Sequence, residues 1–147
     1  MEPHIRIQTE DFDIGEELDV IAGDGSGALA SFVGLVRGGD DLTALTLEHY
    51  PGMTEAEIAR CVAEAETRWT LQGVTILHRV GRLTPGARIV LVAVAAAHRS
   101  EAFAACEFLM DYLKTRAPFW KREERGGTVA WVEAKASDDE AASRWRT

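Results

Sequence analysis

Two periodicities organise this chain. Ile5-Arg6-Ile7 alternates apolar and polar and predicts a short first strand. From Asp13 to Ala22 the spacing turns helical, with Ile14, Leu18 and Ile21 on one face and Asp13 placed to cap the first turn. Gly23-Asp24-Gly25-Ser26-Gly27 then breaks the pattern. Ala28 to Arg37 reads as a strand ending at Gly38-Gly39. Leu42 to Tyr50 sets Leu45, Leu47 and His49 against Thr46, Glu48 and Tyr50. These two strands are expected to pair as a hairpin across Gly38-Gly39-Asp40-Asp41.

Thr54 followed by Glu57 has the spacing of a capping box, and a helix is predicted from there to Trp69. Its apolar stripe is Ile58, Cys61, Val62, Ala65 and Trp69. Val74 to Val80 and Arg88 to Ala97 are predicted strands joined through Thr84-Pro85-Gly86. The run Ile89 to Val94 hardly alternates, which marks a strand covered on both faces. A second long helix is predicted from Ser100 to Thr115, burying Phe103, Cys106, Met110 and Leu113, with Pro118 barring its continuation. Phe119 to Glu123 alternates again, Gly126-Gly127 turns, and Thr128 to Glu133 returns as a strand. Ser137 to Trp145 is a predicted terminal helix. Two long helices against a mostly antiparallel sheet make the expected class α+β.

Length and composition narrow this further. The 147 residues fit one domain, 1–147, with an ordinary globular share of apolar residues (46%). The formal net charge of -8 argues against general nucleic-acid or anionic-membrane binding, which needs clustered Lys and Arg. The longest apolar run, Ile89 to Ala97, is about half of what a membrane span requires. With no apolar leader-like segment near the N-terminus, the expected location is the cytoplasm. Cys61 and Cys106 fall on the apolar helix faces and match no metal-ligand spacing, so no metal and no cofactor are expected. Any sulfur chemistry must draw its sulfur from another molecule.

Against the acidic background, Lys114, Arg116, Lys121, Arg122 and Arg125 gather five positive charges, with only Glu123 and Glu124 opposing them. Such a cluster suits a carboxylate or phosphate. Pro118-Phe119-Trp120 sits inside it and offers an apolar wall that lowers a lysine pKa and stacks a planar ring. Alternation places Lys121 and Glu123 on one strand face, where they could act as proton donor and acceptor, and Arg122 on the other. His98-Arg99-Ser100 stands where a buried strand meets a helix N-terminus, a setting that attracts anions. Arg37, followed by two glycines, ends a strand at a loop that could close over a substrate. Glu48-His49-Tyr50 offers an acid/base group, but His49 shares a face with Leu45 and Leu47 and reads as a core or interface histidine; His78 and His4 carry weaker signals still. The same features also allow a non-catalytic module that holds an anionic peptide tail or nucleotide.

Four stretches together resemble one family. They are Leu45-Thr46-Leu47-Glu48-His49-Tyr50-Pro51-Gly52-Met53, Ala97-His98-Arg99-Ser100, the run from Met110-Asp111-Tyr112-Leu113-Lys114 through Pro118-Phe119-Trp120-Lys121-Arg122-Glu123, and Trp131-Val132-Glu133-Ala134. In this order and over nearly the whole chain they resemble the large, catalytic subunit of molybdopterin synthase. The resemblance implies a fold of the α/β-hammerhead type. It implies transfer of two sulfurs to cyclic pyranopterin monophosphate, from a thiocarboxylate on the C-terminal Gly-Gly tail of a small ubiquitin-like partner. It also implies a homodimer of the large subunit within a heterotetramer. Lys114 and Lys121 match the family's two catalytic lysines. Arg37, His98, Arg99, Arg122 and Glu123 match substrate-binding positions. Lys135 stands where an arginine reaches the neighbouring subunit's site. Where the family often has a lysine two residues before the strand-end arginine, this chain has Leu35, and its loop at Gly38 to Asp41 is shorter.

Overall fold

The computed structural model describes residues 1–132 and 136–145. The elements run β1 (His4–Gln8), α1 (Ile14–Ile21), β2 (Ala28–Leu35), β3 (Leu42–His49), α2 (Met53–Arg68), β4 (Gly73–Arg79), β5 (Gly81–Leu83), β6 (Arg88–Ala96), α3 (Arg99–Arg116), β7 (Phe119–Arg125), β8 (Thr128–Val132) and α4 (Ala136–Ser143). The class is α+β, as the periodicities predict. The strands form two four-stranded sheets, ordered β1-β4-β6-β2 and β5-β3-β7-β8.

The first sheet is a filled sandwich layer. β6 lies inside it, paired antiparallel with β4 and β2, while β1 runs parallel to β4. One face carries Val74, Ile76, Val90, Val92 and Val94 against Ile58, Val62, Phe108 and Leu109 of α2 and α3. The other carries Leu77, Leu91, Ala93 and Ala95 against Phe12, Ile21 and α1. Both faces of β6 are therefore apolar, which accounts for the missing alternation there. Asp13 caps α1 by accepting the Glu16 N–H at 3.0 Å.

The hairpin expected between β2 and β3 does not form. β2 pairs with β6 from Ala28↔Ala96 onward, and β3 pairs with β7 and β5 in the second sheet. The chain crosses between sheets after Leu35. There Val36 bonds the Ala87 carbonyl and buries its side chain with Leu45, Leu47 and Leu83. β5 is a three-residue strand that begins at Gly81 and is too short for a periodic signal.

The start of α2 also differs. Gly52 precedes the helix at φ 85°, a left-handed turn that glycine adopts without penalty, and the Glu55 carboxylate accepts its N–H at 3.0 Å. Thr54, expected as the cap, is instead fully buried. α3 begins at Arg99 with His98 as its cap residue, and it turns a different face inward: Ala102, Ala105, Phe108, Leu109 and Tyr112 join Cys106 and Leu113 in the core, while Phe103 is 66% exposed. Among the described residues, no helix is long and apolar enough to cross a membrane.

Candidate active site

The seam between the two sheets opens into a cavity of about 530 Å³. β2, β4 and β6 wall it on one side, β3, β7 and β8 on the other, and the last turns of α3 close one end. Leu35, Leu47, Val90, Met110 and Leu113 make most of the lining apolar. Among the described residues that line it, only His78, Lys114 and Lys121 carry ionisable side chains.

Local sequence explains how the two lysines meet. Lys114 occupies the last turn of α3, where the negative end of the helix dipole favours an ammonium. Pro118 then prevents further helix, and the Phe119 N–H bonds the Ala117 carbonyl at 2.9 Å to turn the chain. β7 follows at once. Its register places Lys121 between Leu47 of β3 and Val132 of β8, on the face that looks into the cavity.

The other cations of the cluster are deployed elsewhere. Arg116 pairs with Glu64 at 3.0 Å and lies 4.0 Å over the Tyr112 ring. Arg122 points to the opposite face of β7, its guanidinium 5.6 Å from the Trp131 ring. Arg125 grips Glu123 at 3.0 Å and reaches the Asp40 carbonyl at 2.7 Å. Glu123 thus shares the strand face of Lys121 as alternation requires, and its carboxylate is also engaged by Arg125.

Arg37 is exposed, two residues beyond the cavity-lining Leu35. The loop after it is tied down by Arg125 through the Gly39 and Asp40 carbonyls, so it is anchored over the end of β7 rather than being an open lid. With leucine at position 35, this stretch of wall is apolar. His98 and Arg99 are exposed at the N-terminus of α3. Lys114 lies fifteen positions after Arg99 in α3, which is about 22 Å along the axis. The expected convergence of His98 and Arg99 on the lysines therefore does not occur within one chain. Lys135 lies outside the described residues.

His78 is the site residue that sequence reasoning undervalued. It ends the face Val74-Ile76-His78 of β4, and its ring stacks on Phe119 with centroids 3.8 Å apart and planes 17° from parallel. Nδ1 lies 2.8 Å from the Arg79 carbonyl oxygen. Burial pushes its pKa down to about 4, assisted by Lys114, Lys121 and His49 and opposed by the Arg79 bond. The available signal was its place at the end of a buried strand face. Cys61 and Cys106 are buried, and burial pushes both thiols up to about 11.

Residues 7–116 match the family model described as MoaE protein. The molybdopterin synthase catalytic subunit of Mesorhizobium japonicum is 54% identical over 150 residues, covering 99% of this chain and 94% of that protein. The catalytic subunit of the same name from Escherichia coli is 53% identical over 148 residues, covering 98% and 99%. Among solved structures, the molybdopterin biosynthesis MoaE protein from Burkholderia ambifaria superposes with a TM-score of 0.86 at 52% identity, covering 98% of each chain.

Proposed function

The chain belongs to the MoaE protein family, and from that premise we propose that it is the catalytic subunit of a molybdopterin synthase. It takes two sulfurs, one from each of two thiocarboxylated Gly-Gly tails of a small ubiquitin-like partner. It delivers them to cyclic pyranopterin monophosphate in the cytoplasm. The observation that carries this reading is the meeting of Lys114 and Lys121, from a helix end and a strand, in one apolar-walled cavity. Two ammonium groups there attract the anionic end of a tail beside largely apolar walls. Both thiols of the chain are buried and held protonated, which fits sulfur supplied by a partner.

Each transfer breaks the carbon–sulfur bond of the tail and leaves a carboxylate, so a water oxygen replaces the sulfur and protons must be moved. Lys121 is the general acid/base in this scheme, and Lys114 orients the thiocarboxylate. Arg37, two residues beyond the cavity-lining Leu35, binds the substrate's anionic groups. His98 and Arg99, too far along α3 to serve their own chain's cavity, serve that of a second copy in a homodimer, with one small subunit on each large one.

Lys121→Ala tests the scheme. With thiocarboxylated partner and precursor supplied, the variant is expected to give no dithiolene product by mass spectrometry while still binding the partner. Full product formation in Lys121→Ala overturns the assignment.

A further inference from the structure

We propose that His78 is a ligand-binding residue of the cavity, its Nε2 accepting a backbone N–H from the partner's tail beside the anionic end that the lysines hold. The inference rests on the reading above.

The tautomer follows from the geometry. A carbonyl oxygen only accepts, so the 2.8 Å contact with Arg79 places the ring proton on Nδ1 and leaves Nε2 a bare lone pair. The ring cannot readily turn, because it lies flat on Phe119. A second proton is resisted from several sides: Lys114 on α3, Lys121 on β7 and His49 on β3 all stand near. No described residue hydrogen-bonds Nε2. Among the described residues, the ionisable side chains of the cavity are thus two cationic donors and one neutral acceptor set in largely apolar walls.

A simple anion satisfies only the donors and leaves the acceptor desolvated without a partner, at a cost in affinity. A peptide C-terminus supplies both complements, because its terminal carboxylate or thiocarboxylate and the preceding amide N–H lie within one residue of each other. The pterin ring also offers N–H groups, and the test separates that occupant from the tail.

The test is a double-mutant cycle on the affinity of the small partner, measured by calorimetry. One arm compares the native chain with His78→Phe, which keeps a flat ring and removes both nitrogens. The other compares a partner ending in Gly-Gly with one whose last residue is N-methylglycine, which lacks the donor. Each change alone is expected to weaken binding about five- to tenfold, and the two together no more than either. His78→Gln, whose amide oxygen reaches the Nε2 position, is expected to restore most of the affinity, and His78→Asn, which restores only the Arg79 bond, is not. Additive losses, rescue by His78→Asn, or an effect confined to the KM for the pterin each overturn the inference. If the native chain itself fails to bind the small partner, the functional reading falls with it. If it binds and His78 is silent, only this inference falls.

Discussion

The Thr54 hydroxyl donates to the Pro118 carbonyl at 3.0 Å while accepting the Tyr50 N–H at 2.9 Å. One buried side chain thereby fastens the start of α2, the end of β3 and the turn between Lys114 and Lys121. Thr54→Val keeps the shape and removes both bonds, leaving a part-buried N–H and C=O without that partner. Stability is expected to fall by about 2–3 kcal/mol in urea denaturation. Because the turn sets the separation of the lysines, kcat is expected to fall more than partner affinity. An unchanged kcat in the folded variant would separate this turn from catalysis.

Arg125 links the catalytic strand to the loop that carries Arg37. Arg125→Ala removes its bonds to Glu123, Gly39 and Asp40 together. The exposed ion pair contributes little, so stability is expected to drop by no more than about 1 kcal/mol. The loop loses its anchor, and the KM for the phosphate-bearing substrate is expected to rise several-fold with kcat nearly kept. Steady-state kinetics with saturating partner distinguish this from a loss of chemistry.

The strands of the site were legible because their signal is local. Alternation places Leu47 and Lys121 on inward faces, and their register in the second sheet agrees. Pairing was not legible where it joins distant segments. Gly38 to Asp41 looks like a hairpin turn, yet β2 finds its partner in β6, more than fifty residues on, because that completes the first sheet. The face of α3 was misread for a different reason. Ala102, Ala105 and Phe108 compete with Phe103 and Met110 for the inward phase, and the wide apolar sector leaves the rotation to packing. The basic run looked like one site because charge is counted along the chain, whereas alternation and the end of α3 send its members to different surfaces. His78 was passed over because its meaning depends on Phe119, forty-one positions later.

The position of Arg99, about 22 Å along α3 from Lys114, makes a complementation test decisive. If each site takes its lysines from one subunit and Arg99 from the other, Lys121→Ala and Arg99→Ala subunits should rescue one another. Every mixed dimer then holds one site with both residues intact and one with neither. Random mixing makes about half of the dimers mixed, so roughly a quarter of native activity is expected from two inactive parents. If every site is built within one chain, the mixture stays inactive.

His78 also links stability to pH. Its folded pKa, about 4, lies below the ordinary 6.5, so between these values the unfolded chain binds the proton and the folded chain does not. Stability should therefore fall as the pH drops from 6.5 towards 4, by on the order of 2–3 kcal/mol from this group. Well above pH 6.5 the ring is neutral in both states and contributes no slope. Urea midpoints measured across this range should show the fall in the native chain and a shallower one in His78→Phe. Parallel curves would place the acid sensitivity in other groups.

The two thiols provide the remaining test of where the sulfur comes from. Cys61 and Cys106 lie in the helix layer that covers the first sheet, and the Cys106 thiol faces the Val92 carbonyl at 3.7 Å. Burial raises both from 9.0 to about 11, so at pH 8 the thiolate fraction is about a hundredfold below that of an ordinary cysteine. Steric enclosure slows reagents further. Iodoacetamide is therefore expected to leave both cysteines unmodified in the folded protein and to alkylate both in urea, as peptide mass spectrometry would show. Sulfur transfer by the treated native protein should continue at its full rate with thiocarboxylated partner. Loss of activity together with alkylation of either cysteine would move the sulfur-bearing role back onto this chain, and with it the reason for the lysine-lined cavity.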